Sequence, residues 1–165
     1  MLPDLGDLGE AREYCRKALE IQEKLAASDA KNTFVKYSLA RTYRRMGDIT
    51  QASGQLDEPA AYYRKSMRLF EELSAAAPDN VPQKARLAEI YTIFGGFLLA
   101  SAGKDQSRRP ALLREAQALQ NRGLEIYGDL QSRNALDQTN QTKFAAARET
   151  QQKIGEALLA GASPK

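Results

Sequence analysis

Between Lys31 and Asp48 the chain places five basic residues, Lys31, Lys36, Arg41, Arg44 and Arg45, against one acidic residue, Asp48, a local net charge of +4. Phe34 and Tyr37 precede Arg41 and Arg44 at steps of three and four, so the four share one stripe if the segment is helical. A guanidinium fork matches a carboxylate or phosphate through two parallel hydrogen bonds, and aromatic rings beside it add apolar area. The chemistry this pattern serves is recognition of an acidic or C-terminal peptide segment. The plainer reading of the same residues is a solvated basic face. Glu89, on the facing stripe of a later segment with Ala85 and Thr92, interrupts the positive field.

Catalysis finds little to work with. There is no histidine, which removes the commonest general base and the commonest metal ligand. Cys15 is the single cysteine. It excludes every zinc site built from several thiolates, and it has no imidazole to activate it. Its spacing puts it on an apolar helix face, as a core thiol. The neighbours Glu71-Glu72 and Asp57-Glu58 point in different directions on a helix. Gly95-Gly96 lacks the lysine and serine of a phosphate loop. The expectation is a non-catalytic protein with no cofactor and no metal.

Composition narrows the partners. The chain has 165 residues, with 24 lysines and arginines against 21 acidic residues and a net charge of +3. That excess is too small to argue for nucleic acid, and no aromatic-interleaved basic stripe supports it. The longest apolar run, Ile90 to Ala100, is broken at Thr92 and Gly95-Gly96 and falls short of a membrane span. One cysteine and no secretory leader pattern point to a reducing cytoplasm.

The elements that must position these residues announce themselves by repetition. Residues 6–49 align without a gap on residues 54–97, a shift of 48, with 15 identities over 44 positions; chance would give roughly three at average composition. The identities include Tyr14/Tyr62, Lys17/Lys65, Leu25/Leu73, Asn32/Asn80, Lys36/Lys84, Leu39/Leu87, Ala40/Ala88, Tyr43/Tyr91 and Gly47/Gly95. A period of this size marks a stacked repeat protein.

Apolar spacing predicts helices over 9–27, 33–46, 58–76, 81–94, 111–133 and 138–160, with the fourth extending toward Ser101. Gly47-Asp48 is expected to end the second helix, because glycine commonly follows a helix C-terminus. Thr50 to Asp57 and Gly103 to Pro110 read as loops, and Gly161 to Lys165 as a frayed end. Leu119, Arg122, Gly123, Leu124, Ile126 and Leu130 follow Tyr62, Lys65, Ser66, Met67, Leu69 and Leu73, so the fifth helix repeats the third.

Leu39-Ala40-x-x-Tyr43 with Gly47-Asp48, then Gly54, Tyr62-Tyr63-Arg64-Lys65-Ser66-Met67 and Pro78, resembles a tetratricopeptide repeat. Leu87-Ala88-x-x-Tyr91 and Gly95 repeat its first half. The resemblance implies an all-α, right-handed superhelix of antiparallel helix pairs, about six helices in one domain, 1–165. Its repeat units are 6–30, 33–77 and 81–133, with a closing helix at 138–160. The 48-residue spacing exceeds the usual 34. This long-armed form is similar to the arrays C-terminal to the catalytic domain of some bacterial serine/threonine protein kinases, and no kinase motif is present in the chain.

The resemblance implies a scaffold that docks a peptide or protein surface in a concave groove of the second, fourth and sixth helices. Phe34, Tyr37, Arg41, Arg44 and Glu89 are its candidate groove residues. The basic and asparagine set of carboxylate-clamp members is absent. The alternative is self-association as a homodimer. The first helix resembles a repeat without its first arm, which leaves Tyr14, Ile21 and Leu25 open on an uncovered repeat end.

Overall fold

The computed structural model describes residues 5–52 and 57–162. Of the sequence-read loop Thr50 to Asp57, residues 53–56 lie outside them and the rest is helical; of the tail Gly161 to Lys165, residues 163–165 lie outside them and Gly161-Ala162 belong to a helix. The described residues form six helices and no strand: α1 Leu5–Ser28, α2 Thr33–Ala52, α3 Asp57–Ala76, α4 Val81–Lys104, α5 Arg109–Ser132 and α6 Gln138–Ala162. They divide into two compact units, Met1–Ala77 and Pro78–Lys165. The division falls between the second and third repeat units read from the sequence.

The 48-residue repeat is kept in the hydrogen bonds that start α2 and α4 and in those that close α1 and α3. Asn32 Oδ1 accepts from the Val35 amide at 3.1 Å, and Asn80 Oδ1 accepts from the Gln83 amide at 3.0 Å. These are side-chain N-caps, which satisfy amides that have no carbonyl partner within the helix. The Asp29 amide donates to the Leu25 carbonyl, and the Ala77 amide to that of Leu73. Asp137 caps α6 in the same way, accepting from the Asn140 amide at 2.7 Å.

The contacts between arms repeat too, 48 residues on for α2 to α4 and 57 for α3 to α5. Lys65 Nζ lies 4.9 Å from the Tyr43 ring centroid, and Arg122 Cζ lies 4.3 Å from that of Tyr91. Lys36 pairs with Glu72 at 2.8 Å, and Lys84 with Asp129 at 3.9 Å. Ser66 donates to the Ala40 carbonyl at 2.8 Å; at the matching crossing, a Cβ on Gly123 would meet the Ala88 carbonyl at 3.0 Å. Small residues let the arms approach at these two points, and Ala40 and Ala88 are fully buried there.

Several boundaries differ from the sequence reading: α1 begins at Leu5 rather than at residue 9, and α4 runs three residues past Ser101. α2 passes through Gly47-Asp48 to Ala52, and α4 passes through Gly95-Gly96 to Lys104. The glycines serve approach, not termination: a Cβ on Gly47 would stand 2.6 Å from the Tyr63 ring, and one on Gly95 would stand 2.7 Å from Gln120 Oε1. The connection before α5 shrinks to residues 105–108, with Arg109 and Pro110 inside the helix. Proline is tolerated there because a first-turn amide needs no partner within the helix. Asp105 ties this connection by accepting from Ser107 at 2.7 Å and from the Arg108 amide at 3.0 Å.

α4 is also more apolar than its longest run suggests. Its 24 residues include an 18-residue window of mean hydropathy 1.2, long and apolar enough to cross a membrane by composition. Thr92, Gly95 and Gly96 interrupt the apolar run without adding charge. Ile90, Phe94, Leu98 and Ala102 are nevertheless buried within their unit, as in a core helix.

A candidate docking site between α1 and α2

In the first unit, α1 packs on α2 through Cys15 and Leu19 against Leu39, Tyr43, Met46 and Ile49. Beside this core lies an open cleft of about 980 Å³. From α1 it is lined by Leu8, Ala11, Tyr14, Cys15, Ala18 and Gln22, among others. From α2 come Ser38, Arg41, Thr42, Arg44, Arg45 and Asp48.

Two candidate sites that the sequence kept apart therefore meet. Tyr14, read as part of a self-association face, shares the cleft with Arg41 and Arg44, read as groove residues. Tyr14 is 73% exposed. Arg44 pairs with Asp48 at 3.3 Å, so it is half committed. Arg41 lies 5.8 Å from the Tyr37 ring centroid. Arg45 is exposed, and neither it nor Arg41 has a carboxylate within ion-pair distance among the described residues. Cys15 is buried at the cleft; burial pushes its thiol upward, against the nearby Arg45 charge. Its place is that of a core thiol.

The other candidates go elsewhere. Phe34 is 77% exposed and lies off the cleft. Tyr37 turns toward α3, edge-on to Phe70 with centroids 6.0 Å apart. One helical stripe thus divides between two neighbours, which spacing along α2 alone does not reveal. Ile21 is exposed, as is Leu25, along α1 beyond the cleft.

Glu89 belongs to the second unit. It accepts from Arg86 at 2.7 Å and pairs with Lys143 of α6 at 3.0 Å. Burial raises its pKa, but these two cations outweigh burial and hold it below the ordinary 4.5. Its carboxylate is thus engaged by two cations of its own unit. Sequence reasoning missed Arg45, Thr42 and Gln22 as cleft residues. Arg45 was counted in the basic run, but its direction depended on where α1 lies.

Residues 4–25 match the family model of the tetratricopeptide repeat. The match falls largely on α1, which the sequence reads as a second arm. No curated protein matches the chain, and no solved structure does. The six helices among the described residues, in repeated hairpins, make an all-α helical-repeat fold consistent with the tetratricopeptide kind.

Proposed function

We propose that this chain is a non-catalytic interaction scaffold that docks an acidic peptide or protein surface on the α1–α2 side of its first unit. Tetratricopeptide repeats generally mediate protein–protein interaction. The observation that carries the reading is the convergence of Tyr14 with Arg41, Arg44 and Arg45 on one open cleft. Apolar area beside forked cations suits an acidic segment. The proposed setting is the cytoplasm, a reading that rests on the single cysteine, as the accessory region of a bacterial signalling kinase, a reading that rests on the likeness of the long arms alone.

The test is fluorescence anisotropy of labelled acidic, neutral and basic peptides against the whole chain and its Arg41→Ala/Arg44→Ala variant. Acidic peptides are expected to bind, more weakly as salt screens the charges, and to lose affinity for the variant. Equal binding of all three classes would sink the reading.

A second reading has its own observation: Ile21 at 61% exposure and Leu25 at 48% form an open apolar strip on α1. It takes the chain as a homodimer through that helix. Sedimentation equilibrium of the chain and of Ile21→Glu tests it; a monomer in both removes it.

A further inference from the structure

The cleft has a counterpart inside the same chain. Add 105 residues to six of the seven α1 residues of its lining, Leu8, Ala11, Tyr14, Cys15, Ala18 and Gln22, and the result is Leu113, Ala116, Leu119, Gln120, Gly123 and Tyr127 of α5; the seventh, Glu10, falls on the half-buried Glu115. All six are buried. Gly123 and Gln120 lie directly against α4, at Ala88, Tyr91, Thr92 and Gly95. Add 105 to Ser38, Arg41, Thr42 and Arg45 of α2, and the result is Lys143, Ala146, Ala147 and Thr150 of α6. These four face Glu89, Thr92 and Ile93 of α4 across a crevice of only about 230 Å³. The caps set the same register, since Asn32 and Asp137 are also 105 apart. What closes the place in the second unit is a helix, α4.

From this correspondence we infer that the α1–α2 cleft is the seat of an amphipathic helix supplied by a partner protein. The inference rests on the docking reading above and names the form of the docked segment. The seat specifies its occupant at three points. Ala18 stands where Ser66 and Gly123 allow close crossing, so the helix crosses α1 with a small residue. Lys17 stands where Lys65 and Arg122 cover tyrosine rings, so an aromatic residue belongs one turn further on. Arg41 and Arg45 stand where α6 offers only Ala146 and Thr150, so the edge facing α2 carries acidic residues.

A second copy of the chain fits less well. Its α6 would bring Arg148, at the place of Tyr91, onto Lys17, and Gln152, at the place of Gly95, onto the crossing. Its α2 would bring Arg41 and Arg45 against their own kind.

The probe is a synthetic peptide of residues 33–52 carrying Arg41→Glu, Arg44→Glu and Arg45→Glu. It keeps Ala40, Tyr43 and Gly47 for α1 and offers carboxylates to α2. The control is the unaltered 33–52 peptide. Isothermal titration into the whole chain should show the glutamate peptide binding about tenfold tighter than the control, as expected of a few part-buried ion pairs. Its far-ultraviolet dichroism should gain helix on binding, since a peptide this short is marginally helical alone. The whole chain carrying Arg41→Glu/Arg45→Glu should reverse the preference, and Ala18→Leu should abolish binding of both peptides.

Affinity that ignores the charge reversal would mean exchange with α2 and overturn the inference. A glutamate peptide that binds without gaining helix, ignores Ala18→Leu and is lost with Arg41→Ala/Arg44→Ala would overturn the helix seat while leaving acidic docking standing. No binding by this peptide or by the acidic panel overturns both. Self-association of the chain that is broken by Tyr14→Glu and competes with the peptide would assign the seat to a second copy instead.

Discussion

Tyr14 on α1 and Leu119 on α5 hold the same place in the repeat, yet the first is 73% exposed and the second 6%. Leu25 and Leu130 make a second such pair, at 48% and 1%. The difference lies in what lies alongside, not in the residues. α5 is held between α4 and α6, whereas the matching face of α1 is covered by α2 on one side only. A repeat arm carries its apolar face whether or not a neighbour covers it, because the face is set by helical spacing and the cover by architecture. α6 turns Arg148, Glu149 and Gln152 outward, with Leu159 exposed further along it, while α1 turns out Tyr14, Ile21 and Leu25.

The largest expected contrast comes from truncating the matched leucines. Leu130→Ala should cost about 2–5 kcal/mol in urea unfolding, as a cavity in a filled core does. Leu25→Ala should stay within about 1 kcal/mol, as an exposed site does. Equal costs would mean that α1 is covered in solution and would break the comparison.

Next is the crossing point. Gly123→Leu forces a side chain against Thr92 Cγ2 and the Ala88 carbonyl, which a glycine Cβ would already meet at 2.5 and 3.0 Å. It should cost about 2–3 kcal/mol by overpacking. Ala18→Leu, at the same repeat position on the open face, should leave thermal stability nearly unchanged.

The caps come third. Asn32→Ala and Asn80→Ala should each lose about 1 kcal/mol. Amide exchange should show the loss mainly in α2 for the first variant and mainly in α4 for the second.

The smallest effect is a titration. Glu89 has its pKa lowered in the folded state by Arg86 and Lys143, so its contribution is present in full above the ordinary 4.5 and fades as pH falls through the folded value. The stability gap between the native chain and Glu89→Gln should therefore be flat at neutral pH and shrink in acid. A gap that grows on acidification would contradict the ion-pair assignment.

Much of the fold was legible because the matched residues are the contacting ones. Asn32 and Asn80 recur as caps, Tyr43 and Tyr91 as rings under a cation, Ala40 and Ala88 as crossing points. Gly47 was legible as special and misread in kind, while Gly95 was read inside a helix that extends toward Ser101. A glycine at a helix end and one beneath a neighbouring ring look alike in sequence, and only the position of Tyr63 or Gln120 separates them. The candidate site was half legible. Arg41 and Arg44 stood out by charge, and Tyr14 by its place on an uncovered face. Their meeting depends on the packing of α1 along α2, which no spacing within either helix encodes.

The apolar character of α4 has a consequence for the chain's birth. α4 clears the ribosome before α5 does, and its buried tyrosine and phenylalanines have nothing to rest on until Ser132 has emerged as well, roughly a few seconds later at usual elongation rates. Through that interval the second unit is a sticky apolar rod. The first unit, whose α2 and α3 are far less apolar, faces no comparable wait. Slow translation between Lys104 and Ser132 would then reduce the yield of soluble protein without altering one contact of the finished fold.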